Sequence, residues 1–219
     1  YDVHHLPAGS QACIFRWKGF STMPENEIVP IDMILPNKIP VIPLNGKPIF
    51  PGIFTPLMLA SQDDIQTVND SMQSDGMLGL VLVREDTEKP KASDLHEVGT
   101  VAKIVKRINL PDGSVNIFIS TLKRFKIKKV LSREQPIIAA VEYVEDIGEG
   151  TDEIKALTRA LLSEMKQVSE NNPLFSEEMR LNMINIDHPG KIADFIASIL
   201  NIDRREQQKI LELFDIREQ

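Results

Sequence analysis

Val98-Gly-Thr-Val-Ala-Lys-Ile-Val-Lys-Arg-Ile-Asn-Leu110, then Pro111-Asp112-Gly113, then Ser114-Val-Asn-Ile-Phe-Ile-Ser-Thr121, is the stretch that decides the fold. Pro111 presets the φ of a turn and Gly113 supplies the positive φ of a tight reversal, so the two flanking runs read as a β-hairpin. In the second run Val115, Ile117 and Ile119 alternate with Asn116, Phe118 and Ser120. Side chains of a strand point to opposite faces in turn, so one side of it faces a core. Two further strands follow at residues 125–131 and 137–144.

Upstream, residues 77–83 are a dense apolar run of strand length, and residues 84–94, charged and containing Pro90, read as a solvated loop. Ser61 opens a helix with Asp64 in the capping-box position and Ile65, Val68 and Met72 on one face; the helix is expected to stop near Gly76. Residues 39–44 form a short strand whose Pro40 and Pro43 suit an edge. Residues 1–37 keep neither period and carry Pro7, Pro24, Pro30 and Pro36, which predicts an extended or partly disordered arm.

Downstream of Gly148 and Gly150 the period changes from two to 3.6. Ile154, Leu157, Leu161, Met165 and Val168 stripe a long helix that ends at Asn171-Asn172-Pro173, and a short helix follows from Ser176. Asp187 is expected to cap the next, with His188 and Pro189 in its first turn and Ile192, Phe195, Ile196 and Ile199 on one face. Asp203 caps the last, with Glu206 in the box position and Ile210, Leu211 and Phe214 buried. The expectation is an α+β chain: an arm over 1–37, a β-rich lobe over 38–147 and an all-helical lobe over 148–219.

Composition narrows the function. The apolar fraction is 42%, the charged fraction 26%, and no apolar run approaches a membrane span. Cys13 is the only cysteine and no signal-type stretch opens the chain, which predicts a reducing, cytoplasmic setting. A net charge of -7 argues against nucleic acid as the partner, because that affinity needs a basic face. The one basic cluster, Lys103, Lys106, Arg107, Lys123, Arg124, Lys126, Lys128 and Lys129, reads as the wet face of a sheet.

No catalytic pattern emerges. Gly46-Lys47 lacks the rest of a phosphate-cradling loop, and His96-Glu97 lacks the second histidine of a zinc helix. The histidines are scattered, and no serine sits in a Gly-x-Ser-x-Gly elbow. The chain is therefore expected to be no enzyme by itself and to hold no cofactor or metal. What stands out is Pro48-Ile49-Phe50-Pro51-Gly52-Ile53-Phe54-Thr55-Pro56-Leu57, held extended by prolines and more apolar than an ordinary loop. It reads as a strand and corner packed into a core, with alternate side chains left to form a peptide-binding surface.

These residues also carry a resemblance. Ile39-Pro-Val-Ile-Pro-Leu44, Ile49-Phe-Pro-Gly52, Pro56-Leu57, Leu95-His-Glu-Val-Gly-Thr-Val-Ala102, Leu110-Pro-Asp-Gly113, Asn185-Ile-Asp-His-Pro-Gly-Lys-Ile-Ala-Asp-Phe-Ile-Ala197 and Leu211-Glu-Leu-Phe-Asp-Ile-Arg217 stand in the order seen in the amino-terminal, substrate-binding domain of bacterial Lon proteases. From Lys38 onward the chain resembles that family. The resemblance implies a small PUA-like β-barrel lobe followed by a helical bundle. It also implies recognition of unfolded or damaged protein on behalf of a hexameric, ATP-dependent serine protease, whose ATPase domain, with ATP and magnesium, and protease domain lie outside this chain. Candidate substrate contacts are Ile49, Phe50, Pro51, Gly52, Ile53 and Phe54, with Gln62 and Asp63 at the adjacent helix start, where the family commonly has an Arg-Glu-Lys-like triplet. The alternative is a stand-alone Lon-like domain serving as an adaptor without protease activity, and a lesser one is RNA binding by the basic strands.

Overall fold

Pro111 and Gly113 do reverse the chain. Gly113 takes φ +86°, its amide donates to the Leu110 carbonyl at 3.1 Å, and the Leu110 amide reaches the Ser114 carbonyl at 2.9 Å. Asp112 locks the corner by accepting from both the amide and the hydroxyl of Ser114, which holds its own carboxyl below the usual range. The computed structural model describes residues 35–148, 151–171 and 188–219. Its strands are β1 (Lys38–Leu44), β2 (Phe54–Leu59), β3 (Met77–Leu82), β4 (Val98–Asn109), β5 (Val115–Ser132) and β6 (Ile137–Val144), with helix α1 (Gln62–Met72) between β2 and β3. Residues 1–34 of the expected arm lie outside the described residues, as do the helix expected from Ser176 and the cap expected at Asp187.

The strands form one sheet in the order β2-β5-β4-β3-β1-β6, and β6 also pairs with β5, so the sheet curls into a barrel. The second strand of the hairpin is longer than its sequence suggests. Residues 114–121 and 125–131 read as two strands, but β5 runs unbroken from Val115 to Ser132, with β-bulges absorbing the shifts in register against β4 and β6. One edge of β5 carries β4. Its other edge is shared, with β2 pairing along residues 115–120 and β6 along 124–132.

The edge position expected for β1 is also corrected, because β1 lies inside the sheet, parallel to β3 and antiparallel to β6. Both prolines are accommodated by half-length ladders. The Leu44 carbonyl accepts from Val83 beside β3, so even-numbered residues aim their backbone groups toward β3 and odd-numbered ones toward β6. The β3 ladder starts at Val41, past Pro40, and the β6 ladder stops at Val41, before Pro43. Each missing N–H therefore falls where no partner strand runs.

β3 is buried along its whole length, as its apolar run predicts. One core cluster gathers Ile42, Leu80, Ile104 and Ile117 under α1, and another gathers Ile39, Val81, Val101 and Phe125. Gly99 makes the second possible, since a Cβ there would stand 2.4 Å from the Leu80 carbonyl oxygen. The Ser61 hydroxyl caps nothing, so the expected capping box is not formed. Met72 is exposed; Ser71 faces inward instead and donates to the Met77 carbonyl at 2.8 Å.

Beyond the barrel come α2 (Asp152–Asn171), α3 (Pro189–Ile199) and α4 (Arg204–Glu212). Together with the sheet they make the expected α+β fold, and residues 35–219 group as one compact unit. In α2, Ile154 is buried while Leu157 and Leu161, expected in the same buried stripe, are exposed. His188, expected in the first turn of α3, is instead its N-cap position. The buried face of α3 is Gly190, Ile192, Asp194 and Ala197, rather than the purely apolar face expected. Asp203 does cap α4, accepting from the Arg205 amide at 2.8 Å.

Asp194 is buried because Arg124 is. Read as part of a wet basic face, Arg124 is in fact 3% exposed. Its guanidinium grips Asp194 through both terminal nitrogens, reaches Asp146 at 2.9 Å and donates Nε–H to the Leu211 carbonyl at 3.1 Å. One side chain of β5 thereby ties α3, α4 and the end of β6 to the barrel. Burial pushes the Asp194 carboxyl up to about 7 against the pull of Arg124, and the nearby Asp146 adds to the rise.

Candidate functional site

β2 places the candidate surface. Three of its six residues, Phe54, Pro56 and Met58, are exposed and alternate with half-buried Thr55 and Leu57. Phe54 is 61% exposed and Met58 67%, an unusual state for two large apolar side chains on the same face of a strand. The register sets Phe54 beside Ser120, Pro56 beside Phe118, and Met58 beside Asn116, which in turn neighbours the exposed Ile108 of β4. The Phe54 and Phe118 rings stack with centroids 6.0 Å apart. The result is an apolar patch of two aromatic rings, a methionine and an isoleucine, with Lys106 directly across from Phe118.

The segment before β2 divides between core and surface. Phe50 is fully buried with Val98, Ala197 and Leu211, so it packs the barrel against α3 and α4 and offers nothing to a ligand. The Thr121 hydroxyl stitches this corner, donating to the Phe50 carbonyl and accepting from the Ile53 amide, both at 2.8 Å. Gly52 takes φ +75° at the bend and donates to the Thr121 carbonyl at 3.1 Å. Ile49, Pro51 and Ile53 are half-buried, Ile49 against the first core cluster and Ile53 against the helices. Gln62 and Asp63 are exposed on the first turn of α1. Of the eight candidates, Phe54 belongs to the exposed patch, and its companions Met58, Phe118 and Ile108 come from outside the set. The period-two spacing of residues 54, 56 and 58 was the signal that could have found Met58; Phe118 and Ile108 join it only through strand pairing.

Beside the patch lies a cavity of about 390 Å³, between the carboxy-terminal half of β1, the end of β2 and the start of α1. Asp64 reaches it as a half-buried carboxyl. Burial and then the neighbouring Asp63 charge raise its pKa to about 6. Half of the basic cluster is paired with acids: besides Arg124, Lys123 pairs with Glu145 at 3.1 Å, Lys126 with Glu97 at 3.6 Å, and Lys128 with Glu142. Among the described residues no cluster of His, Cys, Asp and Glu could hold a metal, and no helix is long and apolar enough to cross a membrane.

A family model described as the ATP-dependent protease La (LON) substrate-binding domain matches residues 38–219. The chain belongs to this family. The Lon protease of Treponema pallidum is 61% identical over 191 residues, covering 87% of this chain and 22% of that protein. The Lon protease of Leptospira interrogans is 42% identical over 194 residues, covering 88% of this chain and 23% of that protein. This Lon domain thus spans less than a quarter of the length of those curated relatives. Among solved structures, the N-terminal domain of the Mycobacterium avium complex Lon protease superposes with a TM-score of 0.66 at 22% identity, over 83% of this chain and 92% of that one. The Lon N-terminal domain protein from Xanthomonas campestris gives 0.58 at 16% identity, over 82% and 92%. At those identities the two structures speak for the fold alone.

Proposed function

We propose that this Lon substrate-binding domain recognises unfolded or damaged polypeptide on the outer face of β2 and β5, and delivers it to the ATPase and serine protease domains of a whole Lon protease. The observation that carries the reading is the pair Phe54 and Met58, exposed with Pro56 on the outer face of a strand whose alternate residues Thr55, Leu57 and Leu59 face inward. An unfolded chain differs from a folded one mainly in the apolar side chains it shows, and an apolar patch is the surface that responds to that difference. A contact this small gives weak binding, because association entropy must be offset first. Assembly into a hexamer would raise avidity by presenting several such patches at once. In this reading the chain itself does recognition and no bond breaking, ATP and magnesium serve the ATPase domain, and the setting is the cytoplasm. The net charge of -7 and the ion pairs at Lys123, Lys126 and Lys128 weigh against RNA as the partner.

The test is titration of the chain with a reduced, alkylated and permanently unfolded protein. Phe54→Ser and Met58→Ser should each weaken binding roughly tenfold, the loss expected for a large apolar side chain that is buried on binding. Because both side chains are exposed, Met58→Ser should leave the unfolding midpoint in place and Phe54→Ser should lower it only by the loss of its stacking on Phe118. Undiminished affinity in the double variant would sink the proposal.

A further inference from the structure

Among the described residues the sheet keeps one free edge, that of β2. β2 and β6 share one edge of β5, and β6 continues the sheet across to β1, but only along Lys38–Val41 of that strand. β2 lies beyond the other end of β6, past Val144, and among the described residues its edge away from β5 pairs with no strand. The cavity at the end of β2 is lined by Leu57, Met58 and Leu59 of that strand and by Pro43 and Leu44 of β1.

The backbone on the β2 side is ready to pair. The Ile53 carbonyl accepts from the Thr121 amide at 2.9 Å, so the odd-numbered residues of β2 face β5. By alternation the amides of Phe54 and Met58 and the carbonyls of Phe54, Pro56 and Met58 point away from β5, and Pro56 removes the middle donor. The cavity at the Met58 end has apolar walls and a carboxylate. Asp64 is left without a hydrogen bond or ion pair among the described residues, since the capping box it was spaced for does not form. Glu88 also lines the cavity, and Lys47 is its one cation among the described residues, so ionised acids outnumber bases there.

Resting on the polypeptide-binding reading above, we infer that this free edge is a strand acceptor: an extended segment of the substrate adds to β2 and lowers one lysine or arginine into the cavity beside Asp64. Main-chain hydrogen bonds supply sequence-tolerant affinity, as a protein that handles many substrates needs, and the pocket supplies a preference. A long basic side chain fits both halves of the pocket, its methylenes over Ile49, Leu57 and Leu59 and its charge at the carboxylate. The preferred substrate is then an apolar, strand-forming stretch interrupted by a basic residue.

The experiment uses the full chain and three labelled ten-residue peptides of alternating valine and threonine. One carries a central lysine, one a central glutamate in its place, and one the lysine with two backbone amides N-methylated. The lysine peptide should bind about tenfold more tightly than the glutamate peptide, and N-methylation should weaken it about tenfold through lost ladder bonds. On binding, the Phe54 and Met58 amides should gain protection from hydrogen exchange. Asp64→Asn should erase the lysine preference while leaving the N-methyl effect. Equal binding of the methylated peptide overturns strand addition, as does protection of those amides by dimer formation without peptide. An unchanged lysine preference in Asp64→Asn overturns the pocket. If no peptide binds but the unfolded protein is still captured through Phe54 and Met58, this inference fails alone; if neither binds, the polypeptide-binding reading fails with it.

Discussion

Arg124 shows how much one side chain can decide. A buried guanidinium is tolerable only when its donors are met, and here Asp194, Asp146 and the Leu211 carbonyl meet them from three separate segments. Removing it strands Asp194 in the interior with no cation. Arg124→Ala should lower stability in urea by roughly 3–5 kcal/mol, far more than any substitution of the exposed Lys106. Asp194 gives the cluster a pH signature of definite sign. Its folded pKa of about 7 lies above the ordinary aspartate value of 3.8, so the folded chain holds a proton that the unfolded chain releases. The stability this contributes is complete below about pH 4 and is lost as pH rises toward 7. Asp194→Asn removes the titration, and the wild-type advantage over the variant should shrink between pH 4 and pH 7 in paired urea unfolding series. A constant difference across that range would show that Asp194 does not exchange a proton on folding.

Among the elements, β4 and α4 make opposite demands. β4 crosses β3 so closely at Gly99 that a methyl group would overlap the Leu80 carbonyl and the Val81 side chain. Backbone cannot retreat as a side-chain tip can, so Gly99→Ala is expected to cost about 3 kcal/mol or more, or to leave little soluble protein. α4 is a short surface helix held at its start by Asp203, and Asp203→Ala should cost only about 1 kcal/mol by thermal unfolding. α4 also turns polar side chains inward: Gln208 donates to the Val98 carbonyl at 3.1 Å and Gln207 to the Ala197 carbonyl at 3.0 Å. Two adjacent glutamines on a helix carry no sign of burial in a sequence, because the carbonyls they serve belong to other elements.

For the molecule as a whole, the barrel and the helices share side chains rather than touching along a plain apolar face. Phe50 of the barrel lies with Ala197 and Leu211 of the helices, His96 meets Glu212 at 3.1 Å, and Arg204 reaches back to Asp86 and to the Asn45 carbonyl. A fragment ending at Gly148 would expose Phe50 and leave Arg124 with one of its two carboxylates. Its melting temperature should fall well below that of the full chain, with loss of the cooperative transition. An unchanged melting curve would mean that the barrel draws no stability from the helices.

The hairpin, the buried β3, the cap of α4 and the α+β order were legible in the residues, because each rests on a short-range rule: a turn needs its glycine, and a buried strand needs an unbroken apolar run. The family was legible too, from motifs in a fixed order. Tertiary structure alone decided the inward place of β1, the burial of Arg124 and the joining of Phe54, Met58, Phe118 and Ile108 into one surface. Each depends on strand register or on partners far along the chain. Distance in sequence does not encode which stretch of one β5 edge is taken by β2 and which by β6, and that division leaves β2 with a free edge beside Asp64.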